Sequence, residues 1–205
     1  EFRAAKLEQD GAKPATVNRY TINVLKSMLE RAVEWEYLPV NPLNGLRPLK
    51  ENNRRTVNLR PEDIGRLLEA LPENIAPIVE WAVYTGMRKE SILSLRIEQI
   101  DCQHLPEESW RVRFVQKGNR ETALRLHPLA VDVYRKMKGD RTEGYLFLNK
   151  EGERYLWVHK PFNREVEKLG LKTVEGRKLC FHDLRRLFAT WLAEEGYTQD
   201  EIAVA

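Results

Sequence analysis

A mainly helical chain with one small antiparallel β-sheet, an α+β arrangement, is what the sequence predicts, and three stretches carry that prediction. In Phe181 to Leu192, the residues Leu184, Leu187, Phe188, Trp191 and Leu192 recur at three- and four-residue steps, so they form one apolar helical face, and Gly196 supplies a stop. Pro14 to Leu38 reads as a long amphipathic helix with Val17, Tyr20, Val24, Leu25, Met28, Leu29, Ala32 and Val33 along one stripe. Trp110 to Val115 and Thr122 to Leu126 are β-rich runs joined through Gln116-Lys117-Gly118-Asn119-Arg120, the pattern of a hairpin.

The remaining elements follow in order. A short helical piece ends near Gly11 ahead of the Pro14 helix, whose stripe one helix cannot bury alone. Its packing partners are therefore expected in a preceding segment or on another molecule. Asn41-Pro42 ends the helical region, and Pro48 to Arg60 is a polar, basic connector. These features divide the chain into residues 1–47, a linker at 48–60 and a larger domain at 61–205. Pro61 opens a helix with Glu62 and Asp63 in its first turn and Ile64, Leu67, Leu68 and Leu71 inward. A second helix covers Asn74 to Tyr84, and Gly86 turns the chain so that Arg88 begins the next. Pro128 to Lys138 and Trp157 to Leu169 are further helices, Tyr145 to Leu148 is extended, and Thr198 starts a last helix.

Composition excludes some classes and favours none strongly. No run approaches the roughly 20 apolar residues of a membrane span, and no signal peptide opens the sequence, which suits a cytoplasmic protein. Cys102 and Cys180 have no close Cys neighbours, so they read as reduced structural thiols. Net charge is only +3, but its distribution is uneven. Arg47, Lys50, Arg54, Arg55 and Arg60 cluster around the connector against Glu51 alone. Arg111, Arg113, Lys117, Arg120 and Arg125 cluster on the hairpin against Glu121 alone. Such clusters resemble an electrostatic footprint for nucleic acid, although one charge run by itself is usually a solvated face.

His182 and Arg185 lie three apart at the start of a helix, so they project as neighbours beside a positive helix N-terminus, where a phosphate is the natural guest. An isolated pair of this kind is more often a capping His beside a surface Arg, so partners must come from elsewhere. Thr85-Gly86-Met87-Arg88 followed by Ile92-Leu93-Ser94-Leu95, Lys117-Gly118-Asn119-Arg120-Glu121, and His182-Asp183-Leu184-Arg185 with Phe188-Ala189-Thr190-Trp191-Leu192 supply them. In order and spacing these segments strongly resemble the tyrosine recombinase (phage integrase) family. The resemblance extends across Pro14 to Ala205, because the first long helix with Asn41-Pro42-Leu43 looks like the end of that family's core-binding domain.

The resemblance implies a helical catalytic domain that cuts and rejoins duplex DNA through a 3′-phosphotyrosine. Arg88 and Arg185 would grip the scissile phosphate, Lys117 would be the general acid and His182 would assist. Arg47, Lys50, Arg54, Arg55, Arg60, Arg113 and Arg120 are candidate DNA contacts. It calls for no metal and no cofactor, and it implies tetramers on DNA in intact proteins. The chemistry suits the residue types: two planar guanidiniums can hold the non-bridging oxygens bidentately, and a Lys can protonate the leaving 5′-oxygen.

Three departures accompany the resemblance. The acidic residue usual three positions after the first Arg is Ser91 here, with Glu90 displaced by one. Arg186 stands where a His is common. The Leu-Gly-His segment and nucleophilic tyrosine of the family are expected beyond residue 205, since Tyr197 follows Arg185 too closely and Tyr20, Tyr37, Tyr84, Tyr134, Tyr145 and Tyr155 have the wrong contexts. The 205 residues are thus expected to bind DNA without cleaving it. The competing reading is a non-catalytic duplex-DNA-binding relative.

Overall fold

The computed structural model describes residues 2–8, 10–102, 106–116 and 120–198, which fall into two compact units, Glu1–Arg54 and Arg55–Ala205. In the first unit, α1 (Phe2–Glu8) and α2 (Pro14–Val17) precede a π-helical turn at Asn18–Ile22 that runs on into α3 (Asn23–Glu34). Side-chain bonds anchor the start of this π turn. Asn18 is buried, and its amide accepts from the Leu49 N–H at 2.8 Å while donating to the Leu49 carbonyl at 2.8 Å and to Glu51 at 2.7 Å.

The helix stops at Glu34 rather than reaching Leu38. Glu36 adopts a left-handed φ of 60°, and the N–H groups of Glu36 and Tyr37 turn back onto the carbonyls of Val33 and Ala32, a Schellman closure without the usual glycine. Val17 and Ile22 are buried, but Tyr20, Val24, Leu25 and Met28 face solvent. Leu29, Ala32 and Val33 of the same stripe are half-buried.

The second unit contains α4 (Pro61–Ala70), α5 (Ala76–Thr85), α6 (Lys89–Leu93), β1 (Ile100–Asp101), β2 (Arg111–Gln116), β3 (Arg120–Arg125), α7 (Pro128–Lys138), α8 (His159–Lys168) and α9 (Asp183–Glu194). Its centre is α5. Pro77, Ile78, Val79, Trp81, Ala82 and Val83 are all buried, so most of this helix is enclosed, and only Glu80 and Tyr84 of its polar side chains are partly open to solvent. Helices α4, α6, α7 and α9 pack around it. The sheet order is β1-β2-β3, antiparallel throughout, with β2 and β3 in register from Arg111 opposite Arg125 to Gln116 opposite Arg120. Val112, Phe114 and Leu124 point into the core, which leaves Arg111, Arg113 and Arg125 outside. The two-residue β1 was not expected from the sequence.

Residues 55–59 are built into the second unit. Val57 and Leu59 alternate into the core, the Thr56 N–H donates to Glu175 at 2.9 Å, and the Thr56 carbonyl accepts from the Val174 N–H at 2.9 Å. Trp191 Nε1 of α9 donates to the Leu59 carbonyl at 3.3 Å. The polar stretch expected as a linker over 48–60 is therefore divided, with residues through Arg54 in one unit and Arg55 onward in the other.

Candidate functional site

Each residue of Thr85-Gly86-Met87-Arg88 has a separate job in presenting the last one. The buried Thr85 hydroxyl donates to the Trp81 carbonyl at 2.6 Å and accepts from the Met87 N–H at 3.4 Å, which closes the end of α5. Gly86 then takes the left-handed conformation, with φ 58° and ψ 11°. A Cβ at this glycine would meet Phe188 Cδ1 at 2.3 Å, so α9 crosses against bare backbone here. Met87 is buried, with its sulfur 3.3 Å from Trp81 Nε1. With the chain so fixed, Arg88 caps α6 and its side chain is exposed.

The close approach of α9 brings the second arginine to the same place. Arg185 Nη1 donates to the Gly86 carbonyl at 2.6 Å, two residues before Arg88 in the chain and 99 residues before Arg185. Burial, followed by the charge of Arg88, pushes the Arg185 pKa below its ordinary value. His182, the N-cap of α9, is exposed, and its pKa is lowered by partial desolvation and then by Arg186, Arg185 and Arg88, against an opposing pull from Asp183. Arg88, far from the neighbouring pair His182 and Arg185 in the chain, thus comes close enough for its charge to act on both. Arg185 has no other hydrogen-bond partner among the described residues, so its remaining N–H groups are available to an anion.

Asp183 supports this arrangement from beneath. Its carboxylate is fully buried. Burial alone would raise its pKa, but bonds from Arg55 and the Cys180 N–H pull it below the ordinary aspartate value. Oδ1 accepts from Arg55 Nε at 3.0 Å and Arg186 Nη1 at 2.7 Å, while Oδ2 accepts from Arg55 Nη2 and from the Cys180 N–H at 2.8 Å. The Arg186 departure therefore has a structural role, as a second guanidinium on Asp183. The displaced Glu90 is exposed and pairs with Lys89 at 2.9 Å.

The other sequence candidates vary in placement. Lys117 lies outside the described residues, and the side chain of Arg120 is likewise not described. Arg47, Lys50, Arg54 and Arg60 are exposed. Arg113 is exposed and paired with Asp101 at 2.6 Å. Arg55 is largely covered and engaged by Asp183 and by the Lys178 carbonyl at 2.8 Å.

Sequence reasoning missed His159, which receives Lys89 Nζ on Nε2 at 2.9 Å. Burial, and then Lys89, holds this histidine below its usual pKa. A contact spanning 70 residues leaves no local signal. An open groove of about 560 Å³, lined by Tyr84, Leu126, His127, Phe188 and Leu192, contains none of the three convergent cations. It is not the site described here.

Comparison with known proteins identifies the family and the fold. Residues 57–205 match the Phage integrase family. The integrase of Salmonella phage P22 is 26% identical over 194 residues, covering 90% of this chain and 49% of that protein. Tyrosine recombinase XerC of Actinobacillus succinogenes is 25% identical over 178 residues, covering 84% of this chain and 60% of that protein. The chain thus spans about half to three-fifths of the length of these curated relatives. Among solved structures, the Tn1549 transposon integrase in complex with circular intermediate DNA superposes with a TM-score of 0.73 at 16% identity, over 98% of this chain and 73% of that one. That likeness shows the fold. Among the described residues, no helix is long and apolar enough to cross a membrane.

Proposed function

Since this chain belongs to the phage integrase family, we propose that it is the DNA-engaging and phosphate-binding part of a site-specific recombinase. The reaction is strand cleavage and rejoining by transesterification at a phosphodiester through a 3′-phosphotyrosine, the tyrosine being supplied downstream of these residues. The observation that carries this reading is the convergence of Arg88, Arg185 and His182 at the crossing of α9 over Gly86. Attack on a phosphodiester builds charge on the non-bridging oxygens. Two guanidiniums fixed before the reaction stabilise that charge, each by about 3 to 4 kcal/mol if they act like oxyanion-hole donors. His182, depressed toward its neutral form, can donate a hydrogen bond to the same phosphate or relay a proton near neutral pH.

Lys117 is assigned as the general acid for the leaving 5′-oxygen. Arg47, Lys50, Arg54, Arg60, Arg113 and Arg120 are assigned to the DNA backbone. Residues 1–47 are read as the end of a core-binding domain, and residues 61–205 as the catalytic domain of a cytoplasmic, nucleoid-associated protein that assembles as a tetramer on DNA. The P22 and XerC relatives are named integrase and tyrosine recombinase, and the Tn1549 protein was solved with DNA, which supports duplex DNA as the partner.

The test is binding of these 205 residues to duplex DNA across a salt series. Six phosphate contacts give a log–log slope of about −5. A flat salt dependence, or no binding at low salt, removes DNA as the partner.

A further inference from the structure

Arg55 belongs by sequence to the same basic cluster as Arg54 and Arg60, yet its surroundings differ. We infer that Arg55 is a positioning residue for the phosphate site, acting through Asp183, and is not itself a DNA contact. The inference rests on the reading of His182 and Arg185 given above.

Asp183 sits between His182 and Arg185 in the first turn of α9 and is fully buried. An ionised carboxylate offers about four lone-pair sites. Here each oxygen accepts two bonds: Arg55 Nε and Arg186 Nη1 on one, Arg55 Nη2 and the Cys180 N–H on the other. Arg55 thus grips the carboxylate with two donors in the fork geometry that only an arginine provides. Its Nη2 also donates to the Lys178 carbonyl at 2.8 Å, so a single guanidinium ties the turn before α9 to the first turn of the helix.

The backbone that delivers Arg55 is held independently. The Thr56 N–H is bonded to Glu175, and Val57 is buried one residue further on. The side chain is 21% exposed and points at Asp183, whereas Arg54 is exposed. Losing Arg55 would leave a buried carboxylate short of two of its four donors. A buried charge deprived of a partner is strongly destabilised, and the strain falls on the helical turn in which His182 and Arg185 flank Asp183.

Three measurements distinguish the roles. First, with the 205-residue chain, each DNA contact removed reduces the salt slope by about 0.9. Arg55→Ala is expected to leave the slope unchanged, and Arg54→Ala to reduce it by about that amount. Second, in a version carrying the downstream tyrosine, Arg55→Ala is expected to slow cleavage at saturating DNA about 100-fold, the cost of a displacement on the order of 1 Å. Affinity should stay within about threefold, a change under 0.7 kcal/mol. Arg55→Lys, which keeps the charge and loses the fork, should recover only part of the rate, whereas at a DNA contact Lys should restore binding almost fully. If Arg55→Ala does not fold, Arg55→Lys carries the same comparison.

Third, the ring resonances of His182 in the DNA-free chain should move in Arg55→Ala and stay put in Arg54→Ala. This readout needs no cleavage, so it decides the role of Arg55 even if the parent protein proves inactive and the recombinase reading fails. A slope reduced by about 0.9 together with an unmoved His182 ring, or a wild-type rate at saturation, overturns the inference.

Discussion

Replacing Gly86 by alanine perturbs the one point where both arginines are set, and its cost can be worked from the backbone. At φ 58° an L-residue pays about 1 to 2 kcal/mol for the left-handed conformation. The added Cβ would also lie 2.3 Å from Phe188 Cδ1, an overlap that forces the α9 side chain or backbone to move. Overpacking of this kind costs about 1 to 3 kcal/mol more, so the total for Gly86→Ala is about 2 to 5 kcal/mol. Gly170 provides the control, because it too has positive φ, 66°, but nothing within 4 Å of a built Cβ. Gly170→Ala should cost only the conformational part, about 1 to 2 kcal/mol.

The assay is urea unfolding followed by hydrogen exchange at the core amides of α5 and α9, which isolates the second unit from the first. Adding Phe188→Ala to Gly86→Ala should recover about 1 to 3 kcal/mol relative to the sum of the single changes, since the clash would be gone. Equal losses for Gly86→Ala and Gly170→Ala, with no coupling to Phe188, would refute the claim that α9 is seated on bare backbone at Gly86. Because the Gly86 carbonyl accepts from Arg185, the same substitution should also weaken duplex binding by displacing that guanidinium.

Two further predictions concern protons. His182 and His159 both have folded pKa values below 6.5, so between those values and 6.5 the unfolded chain binds more protons. Stability contributed by these residues is present above pH 6.5 and is lost as pH falls through that window. The His159→Gln/His182→Gln variant should therefore lose less stability than the wild type between pH 7 and pH 5.5 in urea titrations, and an equal or greater loss would contradict the assignment. Lys117→Ala, in a version carrying the downstream tyrosine, should slow cleavage of ordinary DNA by about 100- to 10,000-fold yet nearly spare a 5′-bridging phosphorothiolate, whose thiolate leaves without a proton. Equal impairment on both substrates would make Lys117 a phosphate clamp or a hairpin-positioning residue.

Much of the fold was legible where local chemistry decides it. Pro128 to Lys138 begins on a proline and ends before a glycine, and the structure gives those bounds. The turn at Gly86 was legible for the same reason, since the chain needs a left-handed residue there. Elsewhere distant partners set the outcome. Asn18, at the start of the π turn, is anchored on Leu49 and Glu51, and the end of α3 depends on Glu36 accepting a conformation usually left to glycine. The strand Ile100–Asp101 exists only through pairing with β2, and the helix expected from Trp157 starts at His159.

The site divides in the same way. The three-residue spacing of His182 and Arg185 was visible in the sequence, but their meeting with Arg88 requires the Gly86–Phe188 crossing. The capture of Asp183 by Arg55 spans 128 residues. To a sequence reader, Arg54 and Arg55 are two equal cations in one basic run. Only packing separates the exposed one from the one engaged with a carboxylate.

If Arg88 and Arg185 form a phosphate site for metal-free DNA breakage, the covalent product of that breakage can be trapped. A version of the chain carrying the downstream tyrosine should be incubated with a pool of random-sequence duplexes in chelator and then denatured. The expected product is a denaturant-resistant protein–DNA adduct, joined through a 3′-phosphate with a free 5′-hydroxyl on the released strand, and it should be lost in both Arg88→Ala and Arg185→Ala. An adduct that persists in both variants, or strand breakage that requires an added metal ion, would contradict that role for the two arginines.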